Sequence, residues 1–304
     1  MLHDAFRSVS QLPLIRKNER SLKMRVKIIS DSTCDLSPEL IQKHDIGIFP
    51  LIVMKDGQEF SDGVTITPAD IFAHVASGGS LCSTAARGVA AYQEMFAQYA
   101  KDYDGVLHVN IGSEFSSCHQ NACIAAEDFD NVRVVDSKNL SSGQGLVVLK
   151  ACELAQTARD MDELKARLDA YTSRVEASFV LDRLEYMVKG GRCSGAAALG
   201  ANLLSLKPCI EVKDGKMVVV KKYRGHIEKC MAAYVRDRLA NREDVVQDTI
   251  FITHTDVTPE SLEVVRSSVA EYGHFKTVYE TVAGCTVSCH CGPGTMGILF
   301  VRKA

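Results

Sequence analysis

The sequence lacks several features that would assign it quickly to a class of protein. Its 304 residues include no tryptophan, and a formal net charge of only −3 at pH 7 argues against a dedicated binder of nucleic acid or anionic membranes. The long uncharged run 281–301 contains His290, Pro293 and four glycines, which does not fit a plain membrane-spanning helix. With 46% hydrophobic and 24% charged residues, the composition is typical of a packed globular protein.

Motifs for nucleotides and for serine hydrolases are also missing. The sequence has no GxxxxGK[ST] loop, and no GxGxxG follows the first predicted strand. The short Gly143-Gln144-Gly145 lacks the third glycine of a dinucleotide motif. Because no GxSxG elbow is present, an α/β-hydrolase is disfavoured, although residue types alone neither place nor exclude a Ser-His-Asp triad.

Cysteine, by contrast, is plentiful. The eleven cysteines are an odd number, and no secretory apolar segment precedes them, which argues against a disulfide framework and predicts a reducing, cytoplasmic location. The longest apolar stretch of residues 1–23 covers only residues 12–15. Since strand-like sequence begins at Met24, we expect residues 1–23 to be a leader or a non-native extension.

Hydrophobic patterning predicts an α/β protein in two parts. In residues 24–174, β-branched runs alternate with helical segments, which is typical of a parallel sheet covered by helices. In residues 175–304, a hairpin around Asp214-Gly215 lies among helices, which favours an α+β domain with a mixed or antiparallel sheet. We place the boundary near Arg174.

Hydroxyl side chains cluster where the predicted strands of the first part end. In an open α/β sheet, ligands bind outside the carboxyl ends of the strands, and hydroxyls there suit a carboxylate or a phosphate. Any one of these residues is more simply explained as a helix cap or turn residue, but four clusters together favour a site. The clusters are Asp31, Ser32 and Thr33; Ser83 and Thr84; Ser113, Ser116 and Ser117; and Asp136, Ser137, Ser141 and Ser142.

The C-terminal part offers two further groups of reactive side chains. Arg192 follows two glycines and could pair with an anion or form a structural salt bridge. Cys285, Cys289, His290 and Cys291 are metal-ligand types, but on an extended chain the last three would point to opposite faces. We therefore expect no metal site, and His290 is the more interesting hydrogen-bond donor.

The order of several short motifs resembles the DegV family of bacterial fatty-acid-binding proteins, the subunits that carry an acyl chain for fatty acid kinase. The resemblance extends from about Arg25 to Arg302. The matching segments are Ile29-Ser-Asp-Ser-Thr-Cys-Asp-Leu36, Val135-Asp-Ser-Lys138, Gly143-Gln-Gly145, Leu184-Glu-Tyr-Met-Val-Lys-Gly-Gly-Arg192, Lys207-Pro208, Lys222-Tyr-Arg-Gly225 and His290-Cys-Gly-Pro-Gly294.

This resemblance implies a two-domain DegV-like fold with a long-chain fatty acid in a buried tunnel between the domains. The family's Thr-Ser-Gln-Pro-Ser motif falls on residues 82–86, and its Leu-Ser-Gly-Thr motif falls on residues 115–118, with several replacements. The resemblance implies that hydroxyls and a histidine hold the carboxylate. The implied headgroup contacts are Ser116 and His290, with Ser83, Thr84 and Cys82 as local candidates.

The resemblance further implies a carrier without catalytic residues or a cofactor. A partner kinase would phosphorylate the carboxylate, and Arg192, Lys207 and Arg224 are candidates for contact with phosphate or with that partner. Two alternatives stay open: a hydrolase or phosphotransferase that uses the same strand-end anion site, and a cysteine-based metal or redox protein. None of the three functions requires nucleic acid or stable membrane insertion.

Overall fold

The computed structural model describes residues 24–198 and 206–304. The predicted leader, residues 1–23, and part of the apolar stretch after Arg192, residues 199–205, lie outside the described residues. The first half contains β1 Val26–Asp31, a 3-10 turn Ser32–Cys34, α1 Pro38–Lys43, β2 Gly47–Phe49, β3 Ile52–Lys55, β4 Gln58–Ser61, α2 Pro68–Ala76, β5 Ser83–Ala85, α3 Val89–Ala100, β6 Gly105–Asn110, α4 Cys118–Ala126, β7 Val132–Asp136, α5 Ser141–Leu154 and α6 Met161–Thr172.

The second half begins at β8, one residue after the boundary predicted near Arg174. That boundary stays a prediction, because the largest apolar core contains residues from both sides of it. The elements are β8 Val175–Val180, α7 Leu184–Gly190, α8 Ser194–Ala197, β9 Leu206–Lys213, β10 Lys216–Arg224, α9 Ile227–Leu239, β11 Val245–Thr255, α10 Pro259–Tyr272, β12 Thr277–Val282, α11 Cys285–Cys291 and β13 Thr295–Arg302.

The strands form three sheets. The first is entirely parallel, in the order β2-β1-β6-β7, and the second is a mixed six-stranded sheet in the order β10-β9-β8-β13-β11-β12. The third is a small antiparallel sheet in the order β4-β3-β5, formed by residues of the first half. The predicted fold class, a parallel α/β part followed by a mixed-sheet part, is confirmed.

Local sequence signals explain where several helices begin. Ser37 and Thr258 accept hydrogen bonds from backbone N–H groups at the starts of α1 and α10, and a proline follows each cap. Thr67 and Asp70 form a capping box at the start of α2, in which each side chain bonds to the other residue's backbone N–H. These capping interactions act within one helical turn, so they can be predicted from the sequence without knowledge of the fold.

Helix α5 lies between the two large sheets and is buried along almost its whole length. Its two glycines allow this close packing: a Cβ on Gly145 would lie 2.7 Å from the carbonyl oxygen of Cys34, and one on Gly143 would overlap Asn139. The Gly143-Gln144-Gly145 segment is therefore a packing element. Gln144 bonds to Thr33 on the side of the parallel sheet.

The extended chain expected around the C-terminal cysteines is wrong. Residues 285–291 form helix α11, which places Cys285 and Cys289 on one face, four residues apart. The positive φ of 72° at Gly292 follows the helix and leads the chain into β13. Because the helix has other faces, His290 and Cys291 can point toward different neighbours than Cys289.

Candidate functional site

A pocket opens where β5, α11 and the segment after β6 meet. It encloses about 560 Å³, the part open to solvent included. Five of its lining residues carry polar or charged side chains, and the others are apolar; one of the five, Thr286, already donates to Asp62. The polar and charged residues central to this site are Thr84, Ser116, Arg192 and His290. We call this space the headgroup pocket.

A hydrogen bond between Thr84 and His290 forms the centre of the headgroup pocket. The Thr84 Oγ1 and His290 Nε2 atoms lie 2.8 Å apart, although the two residues are 206 positions apart in the sequence. Thr84 is the middle residue of β5, which is held in register against Val53 of β3. Helix α11 packs directly on β5, and this packing brings the imidazole to the threonine.

The imidazole of His290 is neutral at physiological pH. Burial and the nearby positive charge of Arg192 lower the pKa of His290 to about 4. Its Nδ1 atom has no hydrogen-bond partner among the described residues, and it lies against Gly190, where a Cβ would come within 2.2 Å of it. Gly190 therefore leaves the space that the ring occupies, and His290 serves as a neutral hydrogen-bonding group.

Ser116 and Arg192 complete the polar side of the pocket. The Ser116 hydroxyl donates to the Cys118 sulfur at 3.0 Å and accepts from the Cys118 backbone N–H at 3.3 Å, just before α4. Arg192 donates to the carbonyl oxygens of Phe115 and Gly190, and it is exposed at the pocket. Since a guanidinium has five N–H groups, several remain available to an anion.

The remaining predicted contacts lie elsewhere. Ser83 is exposed on the opposite side of β5 from Thr84, as strand alternation requires. Cys82 is buried in a small apolar cluster with Cys289. Lys207 forms an ion pair with Asp182 at 2.6 Å, and Arg224 is exposed at the end of β10. The structure does not bring these four residues to the headgroup pocket.

Most of the hydroxyl groups at the strand ends have structural roles. Asp31 is fully buried and bonded to Tyr92, Asn110 and the backbone of Ile111. Ser113 donates to Asp136 at 2.6 Å. Of these clusters, Thr84 and Ser116 line the headgroup pocket, whereas several other members bond to distant segments and hold the fold, as Ser32 does with Asp62.

A second, apolar cavity lies deeper, between α5, α11 and the mixed sheet. It spans about 370 Å³, the part open to solvent included, and shares Leu140, Val287 and Cys291 with the headgroup pocket. Its far wall comes from the strands of the mixed sheet and includes Ala177 and Leu299. We call this space the inner cavity. The sequence does not predict this cavity, because the small residues on its strands do not reveal which distant side chains pack opposite them.

Hydroxyl groups beside the inner cavity satisfy one another. The side-chain oxygens of Ser142, Thr253 and Thr281 lie 2.6–3.0 Å apart in a buried triangle. Burial raises the pKa of the Cys291 thiol, at the junction of the two spaces, to about 12. The thiol therefore stays protonated, and none of the described residues that line the inner cavity is an Asp, Glu, Lys or Arg.

Two buried carboxylates fix the start of α11. Asp35 accepts from the Gly284 N–H at 2.9 Å and from the Ser141 hydroxyl at 2.5 Å. Asp62 accepts from the backbone N–H groups of Cys285 and Thr286. Carboxylates are favourable at a helix N-terminus, so these contacts hold the helix that carries His290.

Asp35 is expected to make stability increase as the pH falls. Burial, with a smaller contribution from the negative charge of Asp62, raises the pKa of Asp35 to about 7. Its pKa in the unfolded chain is about 4, so between these values only the folded state holds the proton. Relative to Asp35→Asn, the wild type should gain about 2 kcal/mol of unfolding free energy from pH 8 to pH 5. Urea denaturation at both pH values measures this difference.

The exposed capping residue Asp70 provides a control with the opposite sign. Hydrogen bonds from Thr67 lower the pKa of Asp70, so its contribution to stability is lost as the pH falls. If Asp35→Asn and the wild type keep a constant difference across this pH range, Asp35 does not titrate as the structure indicates.

The structure offers little support for a metal centre. Among the described residues, no group of three His, Cys, Asp or Glu side chains could hold a metal ion. All eleven cysteines are free thiols, and Cys285 donates to the carbonyl oxygen of Ile66. No helix within residues 24–198 and 206–304 is long and apolar enough to cross a membrane.

Comparison with known proteins assigns the family. The model for "uncharacterised protein, DegV family" matches residues 25–303. This chain belongs to the DegV family. A DegV domain-containing protein from Clostridium acetobutylicum is 31% identical over 281 residues, which cover 92% of this chain and 99% of that protein. The resemblance that the sequence motifs indicated is thus confirmed.

Solved structures of DegV proteins share the fold. A fatty-acid-binding DegV family protein from Thermus thermophilus is 26% identical, with a TM-score of 0.82, and the match covers 92% of this chain and all of that one. A DegV lipid-binding protein from Thermotoga maritima is 25% identical, with a TM-score of 0.81 over 92% and 99% of the two chains. The DegV proteins in these two structures are described as binding fatty acid or lipid.

Proposed function

We propose that this DegV protein binds one long-chain fatty acid, with its carboxylate in the headgroup pocket and its acyl chain in the inner cavity. The observation that carries this proposal is the junction of the two spaces at Leu140, Val287 and Cys291. A polar pocket that continues into an apolar cavity matches a molecule with one anionic end and a long hydrocarbon tail. The similarity to fatty-acid-binding DegV structures supports the same ligand.

The headgroup pocket suits a carboxylate through neutral donors. The Thr84–His290 pair and the Ser116 hydroxyl provide hydrogen-bonding groups without a formal charge. A buried carboxylate is costly unless several donors meet it, and Arg192 adds a positive charge at the pocket. The neutral imidazole can donate to Thr84, which leaves the threonine hydrogen free for the ligand.

Burial of the acyl chain supplies most of the binding free energy. Each methylene group that leaves water contributes about 0.8 kcal/mol, so a long chain provides enough for tight capture. The walls of the inner cavity are mainly apolar side chains, with the His254 imidazole and hydroxyls such as Thr253 and Thr255 that are hydrogen-bonded within the protein. No unsatisfied donor of the Ser142 triangle competes for the ligand.

The hydrolase alternative meets a specific difficulty. Thr84 and His290 do resemble a hydroxyl–imidazole pair, but an activated pair needs a third group that orients the imidazole. Among the described residues, no group forms a hydrogen bond with Nδ1 of His290, and its pKa of about 4 makes the imidazole a weak base. The geometry therefore supports a carrier over an enzyme.

A co-purified lipid tests the proposed ligand. We expect native mass spectrometry of the protein to show one adduct, and organic extraction to release a long-chain fatty acid in a one-to-one ratio. Delipidated protein should bind the acid again. If repeated preparations contain no fatty acid and take up none that is offered, the proposal is wrong. A stoichiometric metal instead would favour the cysteine-based alternative.

We also propose that the bound carboxylate is presented to a fatty acid kinase in the cytoplasm, which forms the acyl phosphate. Arg192 lies at the pocket and is placed to meet the phosphate, whereas the charge of Lys207 is neutralised by Asp182. Arg224, exposed on β10, stays a candidate for contact with the kinase.

Trapping with hydroxylamine tests this partnership. Loaded protein incubated with ATP and magnesium should yield an acyl hydroxamate only when a bacterial fatty acid kinase is added. Arg192→Gln should reduce this yield more than it reduces fatty-acid binding. Hydroxamate formed by the DegV protein alone would support the phosphotransferase alternative, and none with the kinase present would contradict the presentation role.

A further inference from the structure

Two thiols meet directly behind the headgroup pocket. Cys82 precedes β5 and Cys289 lies on α11, which packs on β5. Both thiols are buried in one small apolar cluster, and each influences the pKa of the other. The same two elements carry the polar pair of the pocket. Thr84 follows Cys82 by two residues, and His290 follows Cys289 by one.

We propose that Cys82 and Cys289 are an oxidation site, at which a reversible disulfide forms and weakens binding in the headgroup pocket. The effect on the ligand rests on the proposed function, whereas the disulfide itself does not.

The reaction requires a two-electron oxidant, and a peroxide is sufficient. The sulfur of Cys82 attacks one oxygen of hydrogen peroxide, the O–O bond breaks, and a sulfenic acid and one water form. The sulfur of Cys289 then attacks the Cys82 sulfur, the S–O bond breaks, and the hydroxyl leaves as a second water. The two thiol hydrogens end in water, and a low-molecular-weight dithiol reverses the step.

The structure indicates which thiol reacts first. Cys82 retains 7% exposure against 3% for Cys289, and the positive charge of Lys55 lies near Cys82, where the negative charge of Asp56 partly offsets it. Burial raises the pKa of both thiols, so the thiolate fraction is small and oxidation should be slow. The site is therefore expected to respond to sustained oxidant and not to brief exposure.

A covalent link changes the headgroup pocket because it joins the two elements that form it. When the two neighbouring thiols become an S–S bond, β5 and α11 are drawn together at this point. The adjacent contact between Thr84 Oγ1 and His290 Nε2, now 2.8 Å, must then shift. We expect the affinity for fatty acid to fall about tenfold, within the usual range of coupling between two sites.

Linkage makes the effect reciprocal. If the oxidised protein binds fatty acid about tenfold more weakly, saturating fatty acid must favour the reduced protein by the same factor. For a two-electron couple, this factor corresponds to a rise of about 30 mV in the reduction potential. The shift gives a second measurement that does not depend on the rate of oxidation.

The experiment oxidises reduced, delipidated full-length protein with hydrogen peroxide. Peptide mapping should find Cys82 linked to Cys289, and the affinity for a fluorescent fatty acid should fall about tenfold and recover with dithiothreitol. Cys289→Ser should show no response of its affinity to peroxide. Cys123→Ser, which removes a half-buried thiol on α4, should respond like the wild type.

Three other results of the experiment would contradict the proposed oxidation site. Linkage of either thiol to Cys285, no linkage at all, or linkage without a change in affinity would overturn the inference. If Cys289→Ser does not fold, the peptide map and the reduction potential of the wild type still test whether the disulfide forms and is coupled to binding. A reduced protein that binds no fatty acid contradicts the proposed function instead, and the peptide map then decides separately whether the disulfide forms.

Discussion

His290→Ala is expected to weaken fatty-acid binding by about 1–3 kcal/mol, which is roughly fivefold to a hundredfold in Kd. The imidazole bonds to Thr84 at 2.8 Å in the headgroup pocket, and its loss leaves that hydroxyl without its buried partner. A carboxylate then meets fewer oriented donors in a site of low polarity. Isothermal titration of delipidated protein with a long-chain fatty acid measures the change.

Two further variants separate binding from general damage. His119→Ala removes a partly buried histidine on α4 that lines neither cavity, and its affinity should match the wild type. His290→Gln offers an amide N–H to Thr84 and should recover part of the lost affinity. Equal affinity of His290→Ala and the wild type would show that the carboxylate binds elsewhere.

Ala177→Leu should shorten the space for the acyl chain. Ala177 is 1% exposed on β8 and faces the inner cavity, so a leucine there adds three carbon atoms to its wall. If these displace about three methylene groups of the ligand, at about 0.8 kcal/mol each, the longest chains lose about 2 kcal/mol, or roughly thirtyfold in affinity. Shorter fatty acids, which do not reach this wall, should lose less.

Affinities for saturated fatty acids of increasing length measure this effect as a shift in chain-length preference. Ala122→Leu is the matched control, because Ala122 is equally buried on α4 and lines neither cavity. The Ala122→Leu variant should have a similar packing cost and an unchanged chain-length preference. A uniform loss at every chain length in Ala177→Leu would mean that the inner cavity does not hold the tail.

Much of the fold is readable from local patterns. The β-branched run that forms β1 and the alternation of strands and helices after it depend on neighbours in the sequence. The hairpin at Asp214-Gly215 likewise uses positive φ values of 49° and 78°, which these residue types adopt readily. The mixed second sheet and the family could therefore be predicted before any tertiary contact was known.

Short strands and helices were harder to predict from the sequence. Pro50 divides the apolar run 46–54, so that β2 joins the parallel sheet and β3 joins the small antiparallel one. The segment of Cys289 to Cys291 is helical because its start is held by Asp35 and Asp62, far away in the chain. Neither outcome has a strong local signal.

The sequence by itself determined the family and the fold class through short-range patterns and ordered motifs. It also indicated four residues that line the headgroup pocket, Thr84, Ser116, Arg192 and His290. Only the tertiary structure decided that Thr84 meets His290 across 206 residues, that Cys82 packs behind the pocket, and that small residues such as Ala177 leave an inner cavity. The physical reason is that local propensities act over one turn or one strand, whereas a cavity depends on the side chains of distant segments that pack around it.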